Sequence, residues 1–273
     1  MKHLIMVAVF VISNWLSFQS VSACGPDTNC IVQQDRHYRI RMPENHDGVS
    51  KIGAIVYAHG YRGSAKGMMN NKSMAKLASE MGVALVATKS FSDDWRIPGV
   101  PRNTGTDGKL EFDYYEAVVE DITSRFPIDR NRLLATGFSA GGMMVWNLIC
   151  HRSQLFAGFA PISGTFWEPE PKTCDTPPTN VVHIHGDQDP VVPLLGRPIA
   201  DTHQGQVPDV LSMYGQYGNY QNIGRETLGR LECQKSKNRN GNILTFCLFE
   251  GGHSFRSEFV KQAWNMLTEA GKL

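Results

Sequence analysis

Apolar and polar positions along this chain switch repeatedly between two periods. His37 to Met42, Gly53 to Ala58 and Val83 to Thr88 are short apolar or alternating runs that predict strands. So are Arg132 to Thr136, Phe156 to Ser163, Val181 to His185 and Ile243 to Phe249. Between them, Asn71 to Met81, Phe112 to Arg125, Ala140 to Cys150 and Glu258 to Leu267 place their apolar residues at helical spacing. Strands alternating with helices predict an α/β fold, a mostly parallel central sheet with helices on both faces. In such sheets ligands bind beyond the carboxyl ends of the strands, so functional residues are expected just after strands. Near the C-terminus the pattern changes. Asn240-Gly241 is a tight-turn signal and predicts a hairpin.

The first residues stand apart. Met1-Lys2-His3 is a short positive start, Leu4 to Leu16 is mostly apolar, and Val21-Ser22-Ala23 supplies small residues. Those three parts predict a secretory signal peptide over residues 1–23, followed by one domain over 24–273. The apolar stretch falls short of the roughly 20 residues that span a bilayer. Val21-Ser22-Ala23-Cys24 is also similar to a bacterial lipobox, in which the cysteine would carry a lipid. Cysteine count weighs against that. The six cysteines are an even number in a chain read as exported, which predicts three disulfides. Proximity favours Cys24–Cys30, Cys150–Cys174 and Cys233–Cys247 among the fifteen possible pairings. The last pair flanks the Asn240-Gly241 turn almost symmetrically. Lipidation of Cys24 would strand one thiol.

Composition narrows the function classes. The chain has 273 residues, 41% hydrophobic and 19% charged, which suits a globular domain. Its 27 basic and 26 acidic residues give a net charge of +1. The densest basic stretch, Lys235 to Arg239, is short and reads as a solvated loop. A nucleic-acid or anionic-membrane surface needs a broader basic face. No cofactor motif is visible. His183 and His185 alternate in one strand, but no third metal ligand at convincing spacing accompanies them, and packed core histidines are the plainer reading.

One pattern carries chemistry. Gly137-Phe138-Ser139-Ala140-Gly141 follows a predicted strand and opens a predicted helix. This is G-x-S-x-G in the strand–turn–helix context that exposes a nucleophilic serine. A hydroxyl becomes a good nucleophile only when a base takes its proton. His253, in Glu250-Gly251-Gly252-His253 after the last strand, is the candidate base. An acid is needed to hold the imidazole tautomer. Asp187 and Asp189, in His185-Gly186-Asp187-Gln188-Asp189, both follow a strand, and Asp189 is favoured because Asp187 suits the turn itself. The order Ser139, Asp189, His253 is that of α/β-hydrolases. Backbone N–H groups of Ala140 and of Tyr61, in His59-Gly60-Tyr61, are candidate oxyanion donors. Trp95 and Trp167, each after a strand, are candidates for stacking on a ring in the substrate, with ordinary core packing as the alternative. Leu194 to Tyr220 is long enough to form a lid.

Taken together, His37-Tyr38-Arg39-Ile40, His59-Gly60, Thr136-Gly137-Phe138-Ser139-Ala140-Gly141-Gly142, His185-Gly186…Asp189…Val192-Pro193 and Gly251-Gly252-His253 resemble the secreted polyhydroxybutyrate depolymerase and feruloyl esterase-like hydrolases, related to carbohydrate esterase family 1. The resemblance implies an α/β-hydrolase fold and an exported serine carboxylester hydrolase that needs no cofactor. Its substrate would be a polyester oligomer or a feruloylated or acetylated saccharide. Tyr61 stands where that family commonly has cysteine, and Ser254-Phe255 where it often has Trp-Pro. A peptidase of the same fold and a non-catalytic binding protein are the competing functions.

Overall fold

The computed structural model describes residues 24–273, so the predicted signal peptide lies outside the described residues. A ten-stranded sheet forms the centre, in the order β1-β2-β4-β3-β5-β6-β7-β12-β11-β10. Its middle comprises β3 (Ile52–Ala58), β4 (Ala84–Thr88), β5 (Ile128–Phe138), β6 (Gly158–Ile162), β7 (Val181–Gly186) and β12 (Ile243–Phe249), paired in parallel. Every residue of β4, β6 and β7 is buried, as expected for parallel strands covered on both faces. Antiparallel strands close each side: β1 (Cys30–Gln33) and β2 (Arg36–Arg41) at one edge, β10 (Gln221–Leu228) and β11 (Leu231–Lys237) at the other.

Side-chain alternation divides the core. Ala54, Val56 and Ala58 of β3 pack with α3 (Lys109–Arg125), α4 (Ala140–His151) and α5 (Val207–Tyr217) on one face. Ile55 and Tyr57 pack with α1 (Ala65–Met69), α2 (Lys72–Glu80) and α6 (Ser257–Glu269) on the other. The predicted strands and helices recur within a few residues of their expected bounds. Asn71 caps α2, its side chain accepting from the Met74 N–H at 3.0 Å.

Three differences matter. Lys235 to Lys237, expected in a loop, end β11, where Lys235 Nζ pairs with Glu226 at 2.7 Å across the strand pair. β10 escaped prediction because its first five residues are all exposed, so it lacks the apolar face that pattern reading detects. The expected lid is not one free loop. Its first part holds the short strands β8 (Pro198–Ile199) and β9 (Thr202–His203). Its second part is α5, which buries Val210 and Tyr214 in the core.

All three disulfides that proximity favoured are present, and no cysteine among the described residues is free. Cys233 and Cys247 are direct cross-strand partners in the β11–β12 hairpin. Gly241, at φ +78°, supplies the left-handed turn residue. This bond closes a 14-residue separation. Replacing both cysteines by alanine is expected to lower stability by about 3 kcal/mol through the freed unfolded chain. Urea unfolding of the double variant tests this, and a midpoint equal to wild type would contradict it.

Candidate active site

Ser139 sits between the end of β5 and the start of α4 with φ +59° and ψ −123°. Few side chains tolerate that backbone, and it persists only where surroundings impose it. The flanking glycines show the imposition. A Cβ at Gly141 would lie on the Ala58 carbonyl oxygen, and one at Gly137 would collide with the Gly141 carbonyl. Strand and helix therefore meet at a distance that only glycine permits. The Ser139 side chain makes no capping bond to its own helix, so the hydroxyl is not committed to structure.

The acid and base are brought together from β7 and β12. Asp189 Oδ2 accepts from His253 Nδ1 at 2.7 Å. Its Oδ1 accepts from the Val191 and Val192 amides at 2.8 and 2.9 Å. Burial alone pushes the Asp189 carboxyl upward, but the bonds from His253 and the two amides outweigh it and hold the carboxyl below its usual range. With Nδ1–H given to the carboxylate, His253 keeps Nε2 as its basic nitrogen. The imidazole lies against Phe138, next to Ser139, with ring centroids 4.5 Å apart. No hydrogen bond joins Ser139 to His253 here; such bonds commonly tighten only with substrate bound. Asp187 does something else. Its Oδ1 accepts from Gly251 N–H at 2.9 Å, and Gln188 N–H donates to Gly251 O at 3.0 Å. It laces the histidine loop to the acid loop.

Beneath Asp189 runs a buried chain that the sequence did not reveal. Trp146 Nε1–H donates to His183 Nδ1 at 3.0 Å. An indole can only donate, so His183 carries its proton on Nε2 and gives it to His185 Nδ1 at 3.0 Å. His185 then donates from Nε2 to Val192 O at 2.8 Å, with Asp189 Oδ2 at 3.6 Å. Each link dictates the next tautomer. Only the alternation of His183 and His185 in β7 hinted at this, and core packing explains that equally well.

Burial holds His183 well below 6.5 and lowers His185 too. Unfolded, both take up protons as pH falls through 6.5; folded, they resist until lower pH. The stability they contribute is complete above 6.5 and is lost as pH drops below it. His59, held near 4 by burial, acts in the same sense, while Asp94, raised by burial to about 6, opposes it. His183→Leu is therefore expected to flatten the fall in stability between pH 7.5 and 5.5, by up to about 1.4 kcal/mol per pH unit. Urea titrations of both proteins at the two pH values test this. Parallel pH slopes would contradict it.

The loop after β3 is pinned from below. His59 Nε2 accepts from Ser90 N–H at 3.1 Å, so its Nδ1–H donates to Gly60 O at 2.7 Å. Trp95 Nε1–H donates to His59 O at 2.7 Å. A Cβ on Gly60 would stand 3.6 Å from the Ser139 Cβ, so glycine lets this loop close on Ser139. Tyr61 N–H makes no backbone hydrogen bond among the described residues, and Ala140 opens α4, where N–H groups lack intrahelical acceptors. The expected stacking role of Trp95 is corrected. Its side chain is fully buried under the loop and does not reach the cavity, because the indole N–H is spent on His59. Trp167 does line the cavity beside Ser139, with Tyr61, Ala140, Met143 and Gln204. Phe255 packs on Tyr57 and Phe138 and is absent from that lining.

Several known esterases are similar to this chain. A family model described as phospholipase/carboxylesterase matches residues 107–207, which include Ser139 and Asp189. "Putative esterase NocK" of Nocardia uniformis subsp. tsuyamanensis is 33% identical over 138 residues, 50% of this chain and 40% of that protein. Feruloyl esterase C of Emericella nidulans is 28% identical over 184 residues, 63% of this chain and 63% of that protein. The chain thus spans less than two thirds of the length of either relative. In fold it is similar to the acetyl xylan esterase from Aspergillus awamori, with a TM-score of 0.59 at 14% identity, covering 84% of this chain and 93% of that one.

Proposed function

We propose that this chain is a feruloyl esterase-like α/β-hydrolase and that it hydrolyses carboxylic esters through an acyl-enzyme on Ser139, in keeping with the phospholipase/carboxylesterase match and the similarity to feruloyl esterase C. The observation that carries this reading is the strained Ser139 elbow beside the His253–Asp189 pair. His253 Nε2 takes the Ser139 proton as Oγ attacks the ester carbonyl carbon. Charge on the carbonyl oxygen is met by the Tyr61 and Ala140 N–H groups. The tetrahedral intermediate collapses, and His253 gives its proton to the departing alcohol. Water, deprotonated by His253, then attacks the acyl carbon and releases the acid and Ser139. Asp189 holds the imidazole and stabilises its cation throughout. No step needs a cofactor.

We read the chain as exported, residues 1–23 acting as a signal peptide and 24–273 as one catalytic domain. Cys24 supports a soluble form, since its sulfur is bonded to Cys30 and not free for a lipid. Fluorophosphonate labelling of Ser139 separates an active hydrolase from a non-catalytic binding protein, and an unlabelled serine would sink the esterase reading. Cleavage of amides but not esters would favour the peptidase. Release of ferulate against 3-hydroxybutyrate from the matching esters decides between the two kinds of substrate.

A further inference from the structure

Three buried polar side chains take no part in the chemistry proposed for Ser139. They are the Trp146 indole and the imidazoles of His183 and His185, each fully buried. Polar groups are costly to bury unless paired, and apolar side chains of similar shape would fill the same space at little cost. Packing of β7 against α4 therefore does not explain why these three are joined in a chain. The place where the chain ends does.

His185 Nδ1 accepts from His183, so its proton sits on Nε2 and is given to Val192 O at 2.8 Å. The N–H of the same valine donates to Asp189 Oδ1 at 2.9 Å. Val192 is thus clamped at both ends, by His185 on its carbonyl and by Asp189 on its amide. Regular structure does not hold this stretch. Residues 189–193 lie in no strand or helix, and Pro190 and Pro193 have no N–H to give. With Oδ1 tethered to the Val191 and Val192 amides, Oδ2 is left aimed at His253 Nδ1, 2.7 Å away. The far end of the chain is Trp146, on the helix that begins beside Ser139. One run of hydrogen bonds therefore joins the helix next to Ser139 to the loop that carries Asp189.

We propose that His185 is a positioning residue of this site: it holds Val192 in place and, through Val192, keeps the Asp189 carboxylate on His253. The proposal rests on the esterase reading above. His185 is absent from the lining of the cavity beside Ser139, so it acts through other residues.

The test replaces His185 in three ways. Leucine fills similar space without a donor. The glutamine amide reaches the place of Nε2, and the asparagine amide only that of Nδ1. His185→Leu is expected to lower kcat on a p-nitrophenyl ester by about 10- to 100-fold, the cost of moving a catalytic group by about an ångström. His185→Gln is expected to recover most of that loss. A packing role predicts the opposite order, because leucine suits a buried site better than an amide does. NMR gives a second reading that needs no turnover. The downfield resonance of the His253 Nδ1 proton is expected to shift or broaden in His185→Leu and to stay near its wild-type position in His185→Gln. Wild-type kcat in the leucine variant, or a glutamine variant no better than leucine, would overturn the proposal. If the leucine variant does not fold, His185→Asn takes its place, and equal kcat in the asparagine and glutamine variants would overturn it. Wild type that cleaves no ester and leaves Ser139 unlabelled marks failure of the esterase reading alone. A His253 resonance unmoved in His185→Leu would even then overturn the positioning role.

Discussion

Ser139→Ala is expected to lose ester hydrolysis by roughly 10⁶ in kcat while folding normally. In the proposed mechanism the hydroxyl forms the acyl bond, and nothing in the fold depends on it. Ser139 makes no capping bond, and its backbone N–H, which any residue retains, donates to Ile162 O at 3.0 Å. What the fold does carry at this position is strain. At φ +59° and ψ −123°, alanine is as strained as serine, whereas glycine is not. Ser139→Gly is therefore expected to be as inactive as Ser139→Ala but more stable than it by about 1 kcal/mol. Steady-state assay with a p-nitrophenyl ester and urea unfolding read the two halves separately. Substantial activity in Ser139→Ala would remove the nucleophile assignment. A glycine variant no more stable than the alanine variant would remove the claim that the elbow stores strain.

Asp189→Asn is expected to lower kcat by about 10⁴. The asparagine oxygen can still accept from the Val191 and Val192 amides, so the loop keeps its shape. Its NH₂ would then face His253 Nδ1, forcing that nitrogen to accept and placing the proton on Nε2. An imidazole in that tautomer cannot take the Ser139 proton. Asp187→Asn provides the contrast. Its side-chain oxygen still accepts from the Gly251 N–H, so the cost is held to about 1 kcal/mol, a severalfold change. Parallel kcat measurements on the two variants decide between the carboxylates. A larger loss in Asp187→Asn would reverse their roles.

The sequence by itself determined the parts of this protein that depend on local pattern. Buried parallel strands need unbroken apolar runs, so β3, β4, β6, β7 and β12 were legible from periodicity. The elbow was legible because its geometry demands glycines at fixed offsets from Ser139. The hairpin and its Cys233–Cys247 bridge followed from a turn dipeptide and symmetric spacing. Only the tertiary structure decided the rest, because the partners lie far apart along the chain. Asp189 and Asp187 are equivalent by position after β7. What separates them is that one reaches the His253 ring and the other a glycine amide, 64 residues away in each case. Trp95 looked like a ring for stacking until burial and the His59 carbonyl claimed it. The Trp146–His183–His185 chain left no distinctive mark in the sequence, since hydrogen-bond satisfaction depends on three-dimensional neighbours and not on spacing.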